Sequence, residues 1–103
     1  MSSQQRVAKF IQQHHLACPL QARALDLVSE IGEVSKEILK MTNYGTKESS
    51  YREEIKSELG DVYFSLLALS DSAGVSLEEA LELVLEKYKH RLKKGSAGSE
   101  VEL

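Results

Sequence analysis

Asp26, Glu30, Glu33 and Glu37 are spaced four, three and four residues apart. On an α-helix, at about 100° per residue, these four carboxylates fall within a band of roughly 60°. Like charges one turn apart repel and cost the helix stability. Lys36 and Lys40 offset part of that repulsion. The band runs along the flank of an apolar stripe, beside Ile31 and Val34, rather than opposite it. A second set, Glu54, Glu58 and Asp61, lines the flank of an Ile55–Leu59–Val62 seam in the same way. If the two helices pack antiparallel, as a short connection favours, Glu30, Glu33, Glu58 and Asp61 come together. Without a cation such a cluster repels itself or takes up protons. With a hard divalent cation it is an oxygen-ligand site, and Mg²⁺ adds substrate phosphate oxygens to a few carboxylates. A single Glu-x-x-Glu pair on a helix is more often plain solvated surface. Two acidic pairs beside apolar seams on consecutive helices weigh more heavily.

The elements that must position these acids follow from the apolar periodicity. A first helix is expected from about Ser3 to His15, with Val7, Phe10 and Ile11 on one side. Pro19 can open the next helix, where its missing N–H costs nothing. That helix spans about Leu20 to Met41, with Ala24, Leu27, Val28, Ile31, Val34, Ile38 and Met41 as its stripe. Turn-forming residues from Thr42 onward break the pattern. Ser50 and Glu53 have capping-box spacing and predict the start of a third helix. Its seam is Ile55, Leu59, Val62, Leu66 and Leu69, and it stops between Ser72 and Gly74. Ser76 and Glu79 form a second capping box. Leu77, Ala80, Leu81, Val84, Leu85 and Tyr88 then face inward on a fourth helix that ends near Lys93. The expected fold is an all-α, four-helix domain over residues 1–94, followed by a flexible Gly- and Ser-rich tail over residues 95–103. Stripes this wide need more cover than one short chain supplies, so the bundle is expected to be completed by oligomerisation, as a homodimer or homotetramer.

Bulk composition narrows the function classes. The chain has 103 residues, 42% hydrophobic and 28% charged, with a single proline. That is one globular, helix-favouring domain. A net charge of -3 argues against a nucleic-acid binder held by phosphate contacts. Cys18 is the only cysteine, which excludes an internal disulfide and a Cys-rich zinc site and suits a reducing, cytoplasmic setting. The first residues lack a signal-peptide pattern. No apolar run approaches the ~20 residues needed to cross a bilayer. Neither a Gly-rich phosphate loop nor a Ser-His-Asp pattern is present.

Ser29-Glu30-Ile31-Gly32-Glu33-Val34 followed by Glu58-Leu59-Gly60-Asp61-Val62 resembles the signature of the MazG-like, all-α nucleoside triphosphate pyrophosphohydrolase superfamily. That signature is Glu-Glu-x-x-Glu, a gap of a couple of dozen residues, then Glu-x-x-Asp. The resemblance covers about Leu25 to Arg91. Ser29 stands where the first Glu of the signature would be, as in members close to the deoxycytidine-triphosphate pyrophosphatases, which keep the other four acids. The resemblance implies that Glu30, Glu33, Glu58 and Asp61 bind one or more Mg²⁺ ions, with Mn²⁺ able to substitute. It implies hydrolysis of a nucleoside triphosphate to the monophosphate and pyrophosphate, as nucleotide-pool housekeeping. Glu37 or Glu54 could hold a second ion or support the first from behind. On the fourth helix, Lys87 and Arg91 are the candidates for contacting phosphates, and His90 stands where the family often has an Asn. A Lys-rich helix end also complements the helix dipole without any ligand. Two other readings stand beside this one: a related enzyme acting on phosphoribosyl-ATP, and a helical interaction module whose acids are only a charged face.

Overall fold

The computed structural model describes residues 1–95. The tail expected over 95–103 falls outside them from residue 96 on. Four helices form: α1 (Ser3–Gln13), α2 (Leu20–Met41), α3 (Glu54–Ser72) and α4 (Leu77–Lys93). No strand forms among the described residues. α1 starts at Ser2, whose side chain accepts from the Gln5 N–H while the Gln5 side chain accepts from the Ser2 N–H. This reciprocal cap was not foreseen. α4 starts at Ser76, whose hydroxyl accepts from the Glu79 N–H at 3.2 Å, as its spacing predicted. Gly74, at φ +71°, takes the left-handed conformation that ends α3.

The expected cap at Ser50 does not form. α3 begins four residues later, at Glu54, and its N-cap Glu53 makes no side-chain cap. The Ser50 N–H instead donates to the Met41 carbonyl at 2.9 Å, so Ser50 closes the α2–α3 loop. That N–H is the donor the Glu53 side chain would hold in a capping box, so the reciprocal half of the box has no donor left.

α3 is the central element, packed against α2 on one side and α1 on the other. Ala68 is fully buried, and Ser65, Leu67 and Ser70 are buried with it. Small side chains there let the neighbouring backbones approach. Ile11 is the buried contribution of α1, and Phe10 meets Phe64 edge-on at 6.1 Å. The Gln4 side chain fastens α1 to the start of α4, donating to the Val75 carbonyl and accepting from the Leu77 N–H.

The facing of α2 corrects the sequence expectation. Apart from Ala22 in the first turn, its covered positions are Arg23, Leu27, Glu30, Val34, Glu37 and Met41, an alternation of four and three residues that marks one helix face. Val28, Ile31 and Ile38, assigned to the inner stripe, are exposed. Relative to the apolar stripe, α2 is rotated by roughly 60°. The acidic band therefore straddles the edge of the α2–α3 seam: Glu30 and Glu37 turn into it, and Asp26 and Glu33 stay exposed. The same shortfall appears on α4, which has no buried residue. Leu81, Leu85 and Tyr88, expected to face inward, are exposed. The radius of gyration is 16.8 Å, against about 13 Å for a compact chain of this length. One copy leaves its helices partly splayed.

Candidate metal centre

Antiparallel pairing of α2 and α3 brings the two acidic sets together. Glu30, from the middle of α2, meets Glu58 and Asp61, one turn apart on α3. One carboxylate oxygen from each lies within 4.8 Å of the others. Glu30 and Glu58 are half-buried and Asp61 is exposed, so the trio opens to solvent on one side. The donor set is all carboxylate oxygen, the chemistry a hard divalent cation takes. Cation ligands in an octahedral shell sit about 3 to 4 Å apart, so small side-chain rotations close the observed spacing.

Electrostatics agree with the geometry. Burial, and then the charges of Asp61, Glu58, Glu33 and Asp26, raise the pKa of Glu30 above the ordinary glutamate value. Asp61 and Glu58 repel Glu30 more than its own helix neighbours do. A raised carboxylate pKa means that the folded chain binds that proton more readily than the unfolded chain does. Without metal, stability from this group therefore falls as pH rises from the ordinary value through the raised one. We expect metal-free protein to melt at a higher temperature near about pH 5 than near about pH 7.5, with Glu30→Gln narrowing that gap. Melting curves in chelator check this; an unchanged gap in the variant would remove Glu30 as its source.

The other sequence candidates are placed less centrally. Glu33 stays outside the trio, and its carboxylate lies 4.0 Å from the Lys36 ammonium on the same helix. Glu37 is buried and accepts a hydrogen bond from Arg52 Nε. Arg52 was not singled out in the sequence, because no periodicity marks a loop arginine. Glu54 lies 3.7 Å from the same guanidinium. Lys87 and Arg91 flank the Tyr88 ring, at 5.6 and 6.0 Å from its centroid. They sit on α4, which is not packed along α2 or α3. Cys18 is a free, half-buried thiol. No described helix is long and apolar enough to cross a membrane.

The chain as a whole is similar to known proteins. Residues 20–96 match the model of the MazG nucleotide pyrophosphohydrolase domain, which takes in α2, α3, α4 and all the candidate site residues. The chain is 40% identical over 68 residues to the uncharacterized protein YpjD of Bacillus subtilis (strain 168), a match over 63% of this chain. It spans 60% of that relative's length. The crystal structure of YpjD from Bacillus subtilis, a protein provisionally named a pyrophosphatase, superposes with a TM-score of 0.67 at 34% identity. That superposition covers 85% of this chain and 90% of the YpjD chain. With most of its length inside the family's match and the same helical fold as YpjD, the chain belongs to the MazG nucleotide pyrophosphohydrolase domain family.

Proposed function

We propose that the chain is a Mg²⁺-dependent nucleoside triphosphate pyrophosphohydrolase of nucleotide-pool housekeeping, releasing a nucleoside monophosphate and pyrophosphate from an NTP or dNTP. The observation that carries this reading is the convergence of Glu30, Glu58 and Asp61 in the seam between two family-matched helices. These three carboxylates would hold the ion, with Glu33 at the edge of the cluster. When bound, Mg²⁺ supplies positive charge against phosphate oxygens and makes a neighbouring water more acidic. In this reading Glu33, half-exposed and one turn from Glu30, would take the proton that the attacking water gives up. The water oxygen bonds to phosphorus, the bond between the α- and β-phosphates breaks, and pyrophosphate leaves.

Lys87 and Arg91 would supply the positive charge that phosphate oxygens need. Charge-assisted hydrogen bonds contribute about 1.5–3 kcal/mol each. Replacing both residues by Gln should raise KM for the triphosphate about tenfold or more, while the metal-free chain binds Mn²⁺ as before. An unchanged KM would return both residues to a solvated helix end.

The active form is a homodimer or homotetramer in this reading. The accessible surface is 7790 Å², against about 5,800 Å² for a compact monomer of this mass. That excess of about 2,000 Å² is more than twice the ~800 Å² that each partner buries in a standard interface. Val28 and Ile31 on α2, with Leu81 and Leu85 on α4, are among the apolar residues left for a second copy to cover.

The test of the reaction is a panel of canonical and modified NTPs and dNTPs, with phosphoribosyl-ATP among them, scored for pyrophosphate release with Mg²⁺ and with chelator. Mg²⁺-dependent pyrophosphate from at least one nucleotide is the expected result. No pyrophosphate from any of them would overturn the proposal.

A further inference from the structure

The acidic face of α2 does not end at Glu33. Glu37 continues it one turn further, about 10 Å along the helix from Glu30, and it is more deeply buried than any other carboxylate among the described residues. A buried carboxylate needs a partner with good geometry. Its partner is Arg52, from the loop just before α3. The Arg52 Nε donates to the Glu37 carboxylate, and Arg52 Nη2 lies 3.7 Å from the Glu54 carboxylate. One guanidinium thus joins α2 to the first residue of α3. It does so where α3 lacks a side-chain cap. Glu58 follows Glu54 by one turn and Asp61 by two. The start of α3, and so the register of both ligands against Glu30, is set at this junction.

We infer that Arg52 is a positioning residue for the carboxylate cluster: through buried Glu37 and Glu54 it fixes the α2–α3 register that holds Glu58 and Asp61 against Glu30. The inference rests on the metal-site reading above, and it withdraws Glu37 from the ligand set. It also differs in sign from a purely electrostatic role. Removing a positive charge near an acidic cluster strengthens cation binding by Coulomb's law. Removing a register clamp weakens it.

The experiment measures free Mn²⁺ by electron paramagnetic resonance during titration of the full chain, alongside amide hydrogen exchange over residues 53–61 without metal. Residues that orient metal ligands are worth about 10- to 100-fold in affinity. Arg52→Gln should therefore weaken Mn²⁺ binding about tenfold and speed exchange at the start of α3, and Arg52→Lys should recover most of both. If Arg52→Gln does not fold with Glu37 left unpaired, the double variant Glu37→Gln/Arg52→Gln removes both charges and is read the same way, with the same weakening expected. Unchanged or tighter Mn²⁺ binding in these variants overturns the proposal. Asp61→Asn is the separate control on the metal site. If wild type binds Mn²⁺ no better than Asp61→Asn, the metal reading fails. The exchange data without metal then decide on the clamp alone: faster exchange in Arg52→Gln supports it and unchanged exchange overturns it.

Discussion

Asp61→Asn is expected to lower Mg²⁺-dependent pyrophosphate release by about a hundredfold or more and to leave the helical circular dichroism spectrum in place. Asn keeps the size of Asp and removes one of three charged oxygen donors. Groups that merely support metal ligands are worth about 10- to 100-fold, so a direct ligand should cost at least that. The fold has no stake in the Asp61 charge, because the residue is exposed and makes no ion pair among the described residues. Its nearest charged company is repulsive, since Asp61 raises the Glu30 pKa. The metal-free variant should therefore melt no lower than wild type, and added Mg²⁺ should raise its melting point less. This pairing of lost activity with kept stability separates a ligand from a structural residue. Glu33→Gln should also abolish turnover, through loss of the proton acceptor. Full activity in both variants would sink the assignment of the site.

The second large effect concerns assembly. Val28 is 68% exposed and Ile31 49% exposed, on a helix whose other face is charged. Exposed apolar residues are ordinary when scattered singly. Here they recur at three- and four-residue spacing along one side of α2, and a similar row recurs on α4. Contiguous apolar surface of this kind marks an interaction site. Wild type is therefore expected to sediment as a dimer or larger, and the double substitution Val28→Glu/Ile31→Glu to sediment as a monomer of lower thermal stability. A two-residue change at exposed positions of one copy should then cost more stability than most single core substitutions. Wild type that sediments as a monomer would contradict the proposal directly.

Much of this protein was legible in its residues, for identifiable reasons. Apolar spacing located all four helices, and Leu20–Met41 matched to the residue, because Pro19 and the Thr42 turn bound it sharply. The four acids stood out because they recur at helical spacing beside apolar seams on two consecutive helices. The third helix started late, at Glu54, and Ser50 instead ties the loop back to the Met41 carbonyl, a contact that no local rule anticipates. Arg52 was invisible for a related reason: its partner Glu37 lies fifteen residues away and becomes adjacent only when α2 and α3 pair.

What the sequence determined by itself is the helical class, the boundaries of most helices, and which side chains could bind a hard cation. Those properties are local, set by periodicity, propensity and charge within a few turns. What only the tertiary structure decided is the rotation of α2. Helical periodicity gives the direction of a stripe but not which neighbour it meets. Pairing with α3 took Glu30 and Glu37 into the seam beside Leu27, Val34 and Met41, and left Val28, Ile31 and Ile38 outward. The Glu37–Arg52 link fixes one end of that pairing, so the carboxylates marked by their spacing are held together by a residue the spacing did not reveal.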